Sequence, residues 1–90
     1  MKFRKKPVVI DAWPVEDLLE LYPILGELPK EILDAVSNDE LDFGTDFIRV
    51  LTLEGSIFAT IDDVLIMGIQ GEFYPCKKDI FSATYEKVEG

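Results

Sequence analysis

The chain has no histidine and only one cysteine, Cys76. The first absence removes the commonest general base, the Ser-His-Asp and Cys-His arrangements, and most zinc sites. The second excludes an internal disulfide and a cysteine-rich zinc site, so nothing signals an oxidising compartment. Basic residues are scarce too: nine stand against eighteen acids, for a net charge of −9. A chain so charged repels nucleic-acid phosphates, so no direct nucleic-acid partner is expected. No apolar run approaches the roughly 20 residues of a membrane-spanning helix. The start, "MKFRKKPVVI", is basic and then apolar in the manner of a signal peptide. Its apolar stretch stops at Asp11, however, and no small-residue cleavage site follows. "GIQG" has two glycines but follows one strand pattern only to enter another, unlike a phosphate-binding loop. The expectation is a cytoplasmic protein with no membrane, metal or cofactor requirement and no catalytic residue in view.

What is present reads as one domain, residues 1–90, with an ordinary 48% of hydrophobic residues. A chain this short buries only about 60% of the surface its unfolded form exposes, so a second copy or a partner would add stability. Its charge is unevenly laid out. Lys2, Arg4, Lys5 and Lys6 stand in the first ten residues without an acid, whereas residues 11–46 hold eleven acids against Lys30 alone, a net of −10. Nine of those acids form the candidate partner-binding surface: Glu16, Asp17, Glu20, Glu27, Glu31, Asp34, Asp39, Glu40 and Asp42. The plainer reading is that they keep a small domain soluble. The sharper one is that they meet a basic protein surface.

Periodicity divides the chain. "FRKKPVVIDAW" is dense in β-branched residues and reads as a strand, with Pro7 at its start or on an edge and the basic cluster guarding that edge. Val15, Leu18, Leu19 and Tyr22 then fall on one helical face, with Pro14 in the first turn, Glu16 and Asp17 near the positive N-terminus, and Pro23 as the stop. "LPKEILDAVSNDE" is a second short helix with a stripe of Leu28, Ile32, Leu33 and Val36. Neither helix is long enough to be stable alone. From Asp46 the period becomes two. "FIRVLTLEGSIFATI" predicts a hairpin turning at Glu54-Gly55, with Val50 opposite Ala59 and an apolar face of Ile48, Val50, Ile57, Ala59 and Ile61. "VLIMGIQGEFYPC" predicts another, turning at Gln70-Gly71. That register sets Gly68 opposite Phe73, whose ring would cover the glycine backbone, and Leu65 opposite Cys76. Val64 to Ile69 is apolar on both faces apart from Gly68, which marks a central strand. "KKDIF" reads as a turn and "SATYEKV" as a last strand beside the first.

Little of this carries chemistry. "NDELDFGTD" is rich in acids, but counting back from Gly44 places Leu41 and Phe43 where a calcium loop needs ligands. Asp62 and Asp63 point to opposite faces if extended, and read as a polar turn. Cys76 has Lys77 and Lys78 beside it, which would activate a nearby thiol, yet its expected neighbours are apolar and a buried free cysteine is inert. Trp13 and Tyr22 read either as a contact patch or as helix-to-sheet packing.

"RKKPVVIDAW", "LPKEILDAV", "TLEG" and above all "GIQGEFYPCKKDIFSATYEKV" resemble a family of small phage and prophage proteins that carries no established activity. The likeness covers most of the chain, is specific in the last 25 residues or so, and is loose over residues 14–45. The family's Pro-Gly-Asp turn is replaced by Ile61-Asp62-Asp63, and the proline of its "CKPDIF" stretch by Lys78. The resemblance implies a bacterial cytoplasm and a phage or prophage gene. With it, three readings compete. In the leading one, a non-enzymatic accessory protein binds a basic host or phage protein through its acidic surface. The second is a homo-oligomeric structural or assembly component. The third is a ligand binder or enzyme using Asp/Glu, Tyr74 or Cys76. The fold expected is α+β: an antiparallel sheet of five to six short strands, built of two hairpins and paired terminal strands, with two short helices on one face.

Overall fold

The computed structural model describes residues 1–4 and 8–88, apart from the side chain of Leu25. Ten elements follow one another: β1 (Asp11–Pro14), α1 (Val15–Leu21), a 3-10 turn (Leu25–Glu27), α2 (Lys30–Ser37), β2 (Leu41–Phe43), β3 (Phe47–Thr52), β4 (Gly55–Thr60), β5 (Asp63–Met67), β6 (Phe73–Lys77) and α3 (Lys78–Thr84). The class is α+β, as expected. The six strands do not form one sheet, however: they divide into two antiparallel sheets of three, β1-β5-β6 and β2-β3-β4.

The helices form where the apolar stripes place them. Val15 and Leu18 of α1 and Ile32 and Ala35 of α2 are buried. They join Ile48, Val50, Ala59, Leu65 and Phe73 in one core. α1 lies against strands of both sheets and α2 against β2. Tyr22, just past α1, stacks on Phe43 of β2 with ring centroids 4.4 Å apart and planes 8° from parallel. That contact is helix-to-sheet packing, and Trp13 likewise packs against the core. Fully burying each Leu or Ile contributes about 1.5–3 kcal/mol, which is what holds helices of seven and eight residues in place.

The β3–β4 hairpin keeps its expected faces but not its expected register. Thr52 pairs with Gly55, Val50 with Ile57 and Ile48 with Ala59, so the turn is Leu53-Glu54. The Thr52 hydroxyl donates to the Gly55 carbonyl at 2.6 Å and accepts the Glu54 N–H at 3.2 Å, while Gly55 takes a φ of +119°. Those bonds fix the turn one residue earlier than the Glu54-Gly55 pair suggests. The register moves by two, which preserves which face each residue occupies. Ile48, Val50 and Ala59 are accordingly buried, but Ile57, which lines a groove, and Ile61, just past the end of β4, are 42% and 50% exposed.

The β5–β6 hairpin differs by one residue. Met67, not Gly68, faces Phe73, and Leu65 faces Pro75 rather than Cys76. The loop is Gly68–Glu72: the Gly68 N–H donates to the Glu72 carbonyl at 2.7 Å and the Gly71 N–H to the Gly68 carbonyl at 3.0 Å. This slip puts Phe73 on the core side with Leu65. What covers Gly68 is the Glu72 side chain, which occupies the space a Cβ would need. β5 is the central strand of its sheet and is buried from Asp63 to Ile66, in keeping with its two apolar faces.

The turn expected from "KKDIF" and the start of "SATYEKV" form α3 instead, residues 85–88 join no strand, and β1 pairs with β5. Phe81 and Tyr85 stand four residues apart, the helical spacing, and their rings stack with centroids 4.9 Å apart. The strand expected over residues 3–13 is shorter, starting at Asp11, with Val8 and Val9 exposed. Pro7, Lys5 and Lys6, assigned above to a guarded strand edge, lie outside the described residues.

Candidate functional site

All nine acids of the candidate surface are exposed. They are spread over α1 (Glu16, Asp17, Glu20), the 3-10 turn (Glu27), α2 (Glu31, Asp34), the α2–β2 connection (Asp39, Glu40) and β2 (Asp42). Among the described residues two are paired: Glu16 with Lys78 at 3.4 Å and Asp42 with Arg49 at 3.5 Å. Two others, Asp39 and Glu40, line a groove of about 650 Å³.

That groove is built from three turns. The first follows α2. The Glu40 N–H donates to the Ala35 carbonyl at 2.9 Å and the Asp39 N–H to the Val36 carbonyl at 3.2 Å, with Asp39 at φ +60°. This is a Schellman ending, in which the left-handed residue past the helix lets the next two N–H groups turn back onto it. Asp is one of the few side chains that tolerates the position. The Glu40 carbonyl then accepts the Leu51 N–H at 3.0 Å, tying the turn to β3. The second turn is the tip of the β3–β4 hairpin, which brings Leu51 through Glu54, with Ile57 behind it. The third is the β5–β6 loop and the start of β6, which brings Glu72, Phe73 and Tyr74.

Four acidic residues, Asp39, Glu40, Glu54 and Glu72, therefore line the same groove as Leu51, Leu53, Ile57, Phe73 and Tyr74. Among the described residues that line it, none is basic. The charge layout of residues 11–46 points to the nine acids above and not to Glu54 and Glu72. Their signal was available locally, since each sits in a glycine-marked turn. What was missing was the topology that brings both turns beside the end of α2.

Tyr74 links the groove to the C-terminal segment. Its phenol is pushed up to about 12, first by burial, then by a side-chain hydrogen bond with Tyr85 and by the nearby acidic groups Tyr85, Glu72 and Cys76. At neutral pH it is a protonated hydrogen-bonding group, unsuited to act as a base.

Cys76 is partly buried, and its thiol lies 3.6 Å from the Lys77 carbonyl. The lysines beside it in sequence are turned to carboxylates: Lys77 Nζ lies 3.2 Å from Asp63 Oδ1, and Lys78 meets Glu16. Asp62 and Asp63 separate sharply. Asp62 is exposed, whereas Asp63 is 4% exposed and its Oδ2 accepts the Thr60 N–H at 2.8 Å and the Thr60 hydroxyl at 3.4 Å. Asp63 is thus a clamp on the β4–β5 connection. Among the described residues, no group of three or more acidic, cysteine or histidine side chains is arranged to hold a metal ion, and no helix is long and apolar enough to cross a membrane.

No protein-family model, curated protein or solved structure matches the chain.

Proposed function

We propose that this protein is a non-enzymatic binding module whose groove receives a basic, partly apolar segment of another protein. In the phage or prophage setting that the sequence resemblance implies, the partner is a host or phage protein and the role is accessory. One observation carries the reading: Asp39, Glu40, Glu54 and Glu72 line one groove together with Leu51, Leu53, Ile57 and Phe73, with no cation among its described residues. An apolar lining supplies affinity through burial, and charge of one sign selects a partner of the opposite sign. The exposed acids on α1 and α2 add a longer-range field that speeds encounter with the same partner.

The test is titration of a fluorescent lysine- and valine-rich peptide into the protein. Binding is expected at low salt. It should weaken steeply toward 1 M salt, where the Debye length falls to about 3 Å. It should fall at least tenfold in a Glu54→Lys, Glu72→Lys double variant. Equal affinity for an aspartate- and valine-rich peptide would sink the proposal.

A further inference from the structure

The first ten residues of the chain hold four cations and no acid. Residues 1–4 are all exposed, and Phe3 among them is 87% exposed. Among the described residues, no ion pair engages Lys2 or Arg4. The N-terminal arm therefore presents two uncompensated cations on either side of an uncovered aromatic ring. The groove is its complement in both respects: Asp39, Glu40, Glu54 and Glu72 with no cation among its described residues, and Leu51, Leu53 and Ile57 open to solvent. The arm also leaves the fold near that groove. Asp11, the first residue of β1, pairs with Met67, and Met67 pairs in turn with Phe73 of the groove lining. Residues 1–4 nevertheless take no part in lining the groove of their own chain.

We infer that the groove of one copy receives the N-terminal arm of a second copy, in a reciprocal pair, so that self-association and partner binding exclude each other. The inference rests on the binding role proposed above and names what holds the groove when the partner is absent. Lys2 and Arg4 answer the groove acids, and Phe3 gains cover among Leu51, Leu53 and Ile57. Fully extended, ten residues reach up to about 35 Å. That matches the 32 Å middle dimension of the molecule, so an arm rooted on one copy can reach the groove of a neighbour. Exchange of the same segment between two copies closes on itself with two-fold symmetry and leaves no groove open for further growth. A chain this short also has much surface left to bury, which favours a second copy. The opposing effect is the net charge of −9 on each copy. At 0.15 M salt the Debye length is about 8 Å, which screens the repulsion between the two bodies more than the attraction between groups in contact.

The test is sedimentation velocity of the full chain over a wide range of concentrations at 0.15 M salt, with two charge-reversed variants. One is Lys2→Glu with Arg4→Glu, and the other is Glu54→Lys with Glu72→Lys. All four positions are exposed, so the fold should be kept. Wild type should form a concentration-dependent dimer that an excess of the lysine- and valine-rich peptide dissolves. Each variant alone should dimerise at least about tenfold more weakly. Repulsion by net charge alone predicts the opposite for the Glu54→Lys, Glu72→Lys variant, which is less acidic than wild type. An equimolar mixture of the two variants should recover association that neither shows alone, because the basic arm of one then meets the acidic groove of the other. Both variants stay net negative, so bulk attraction cannot produce that recovery. A wild type that is monomeric at every concentration, a dimer indifferent to Lys2→Glu with Arg4→Glu, or a mixture that recovers nothing overturns the arm exchange. The binding role then still stands if the peptide binds the Lys2→Glu, Arg4→Glu variant, whose groove is unaltered. Failure of the peptide to bind that variant at low salt overturns the binding role itself.

Discussion

Glu72 closes the β5–β6 hairpin over Gly68. The Gly68 N–H donates to the Glu72 carbonyl at 2.7 Å, and the Glu72 side chain lies where a Cβ on Gly68 would stand. The same glycine therefore serves the turn and sets the place of a groove carboxylate. In a Gly68→Ala variant the flexible carboxylate end swings aside while the backbone bond remains. Stability should change by less than about 1 kcal/mol in urea denaturation, since Ala replaces Gly without a positive φ. Affinity for the lysine- and valine-rich peptide should fall severalfold. A large stability loss with unchanged affinity would refute this division of roles.

Asp63 and Asp62 are adjacent but unequal. Removing the Asp63 carboxylate leaves the Thr60 N–H without its acceptor and Lys77 without its partner. Asp63→Ala should cost about 2–3 kcal/mol, the scale of hydrogen bonds to a charged group. Asp62→Ala, at an exposed position, should stay within about 0.5 kcal/mol. Chemical denaturation of the two variants side by side checks both values.

Much of the fold was legible in residue spacing, and the failures have identifiable causes. The buried helix positions Val15, Leu18 and Ile32 were readable from apolar spacing, but Ala35 was not, since the expected stripe ran through Leu33 and Val36, which are only partly buried. The β3–β4 faces survived a wrong turn assignment because an error of two residues leaves Ile48, Val50 and Ala59 on the same side. An error of one, in β5–β6, did not: it hid that Asp63 faces Lys77, and with it the reason Asp63 is buried. α3 departs from the expected turn and strand because residues 78–84 can form about two helical turns, while Tyr85 is already extended and stacks back on Phe81. Of the candidate surface, the exposure of the acids was legible. The groove was not, since its residues come from positions 38–40, 51–57 and 72–74 and only the two-sheet topology assembles them.

Tyr74 gives the fold an alkaline limit. Its folded pKa, about 12, lies above the ordinary value of 10.0. The folded state therefore holds the proton more tightly than the unfolded state, and the stabilisation is complete below pH 10. It is lost as pH rises through the window from about 10 to about 12. Urea midpoints should fall across that window in wild type and fall less in Tyr74→Phe. Absorbance at alkaline pH should show a tyrosine ionising near pH 12 in wild type, and that step should vanish in the variant.

Asp39 holds a left-handed conformation, φ +60°, at the end of α2. Glycine adopts that conformation without the steric cost of a Cβ, so Asp39→Gly should stabilise the protein by about 1 kcal/mol. Asp39→Val should destabilise it by more than that, because a β-branched side chain is poorly accommodated there. Thermal midpoints of the two variants moving in opposite directions would establish the Schellman ending as the structural role of this residue.

In the proposed binding role, the groove and not the acidic helices receives the partner. Its most direct test is the pattern of backbone amide shifts when the lysine- and valine-rich peptide is added to isotope-labelled protein. The largest changes are expected on residues 38–40, 51–57 and 72–74. Changes confined instead to Glu16, Asp17, Glu20, Glu31 and Asp34, with the groove residues unmoved, would contradict it.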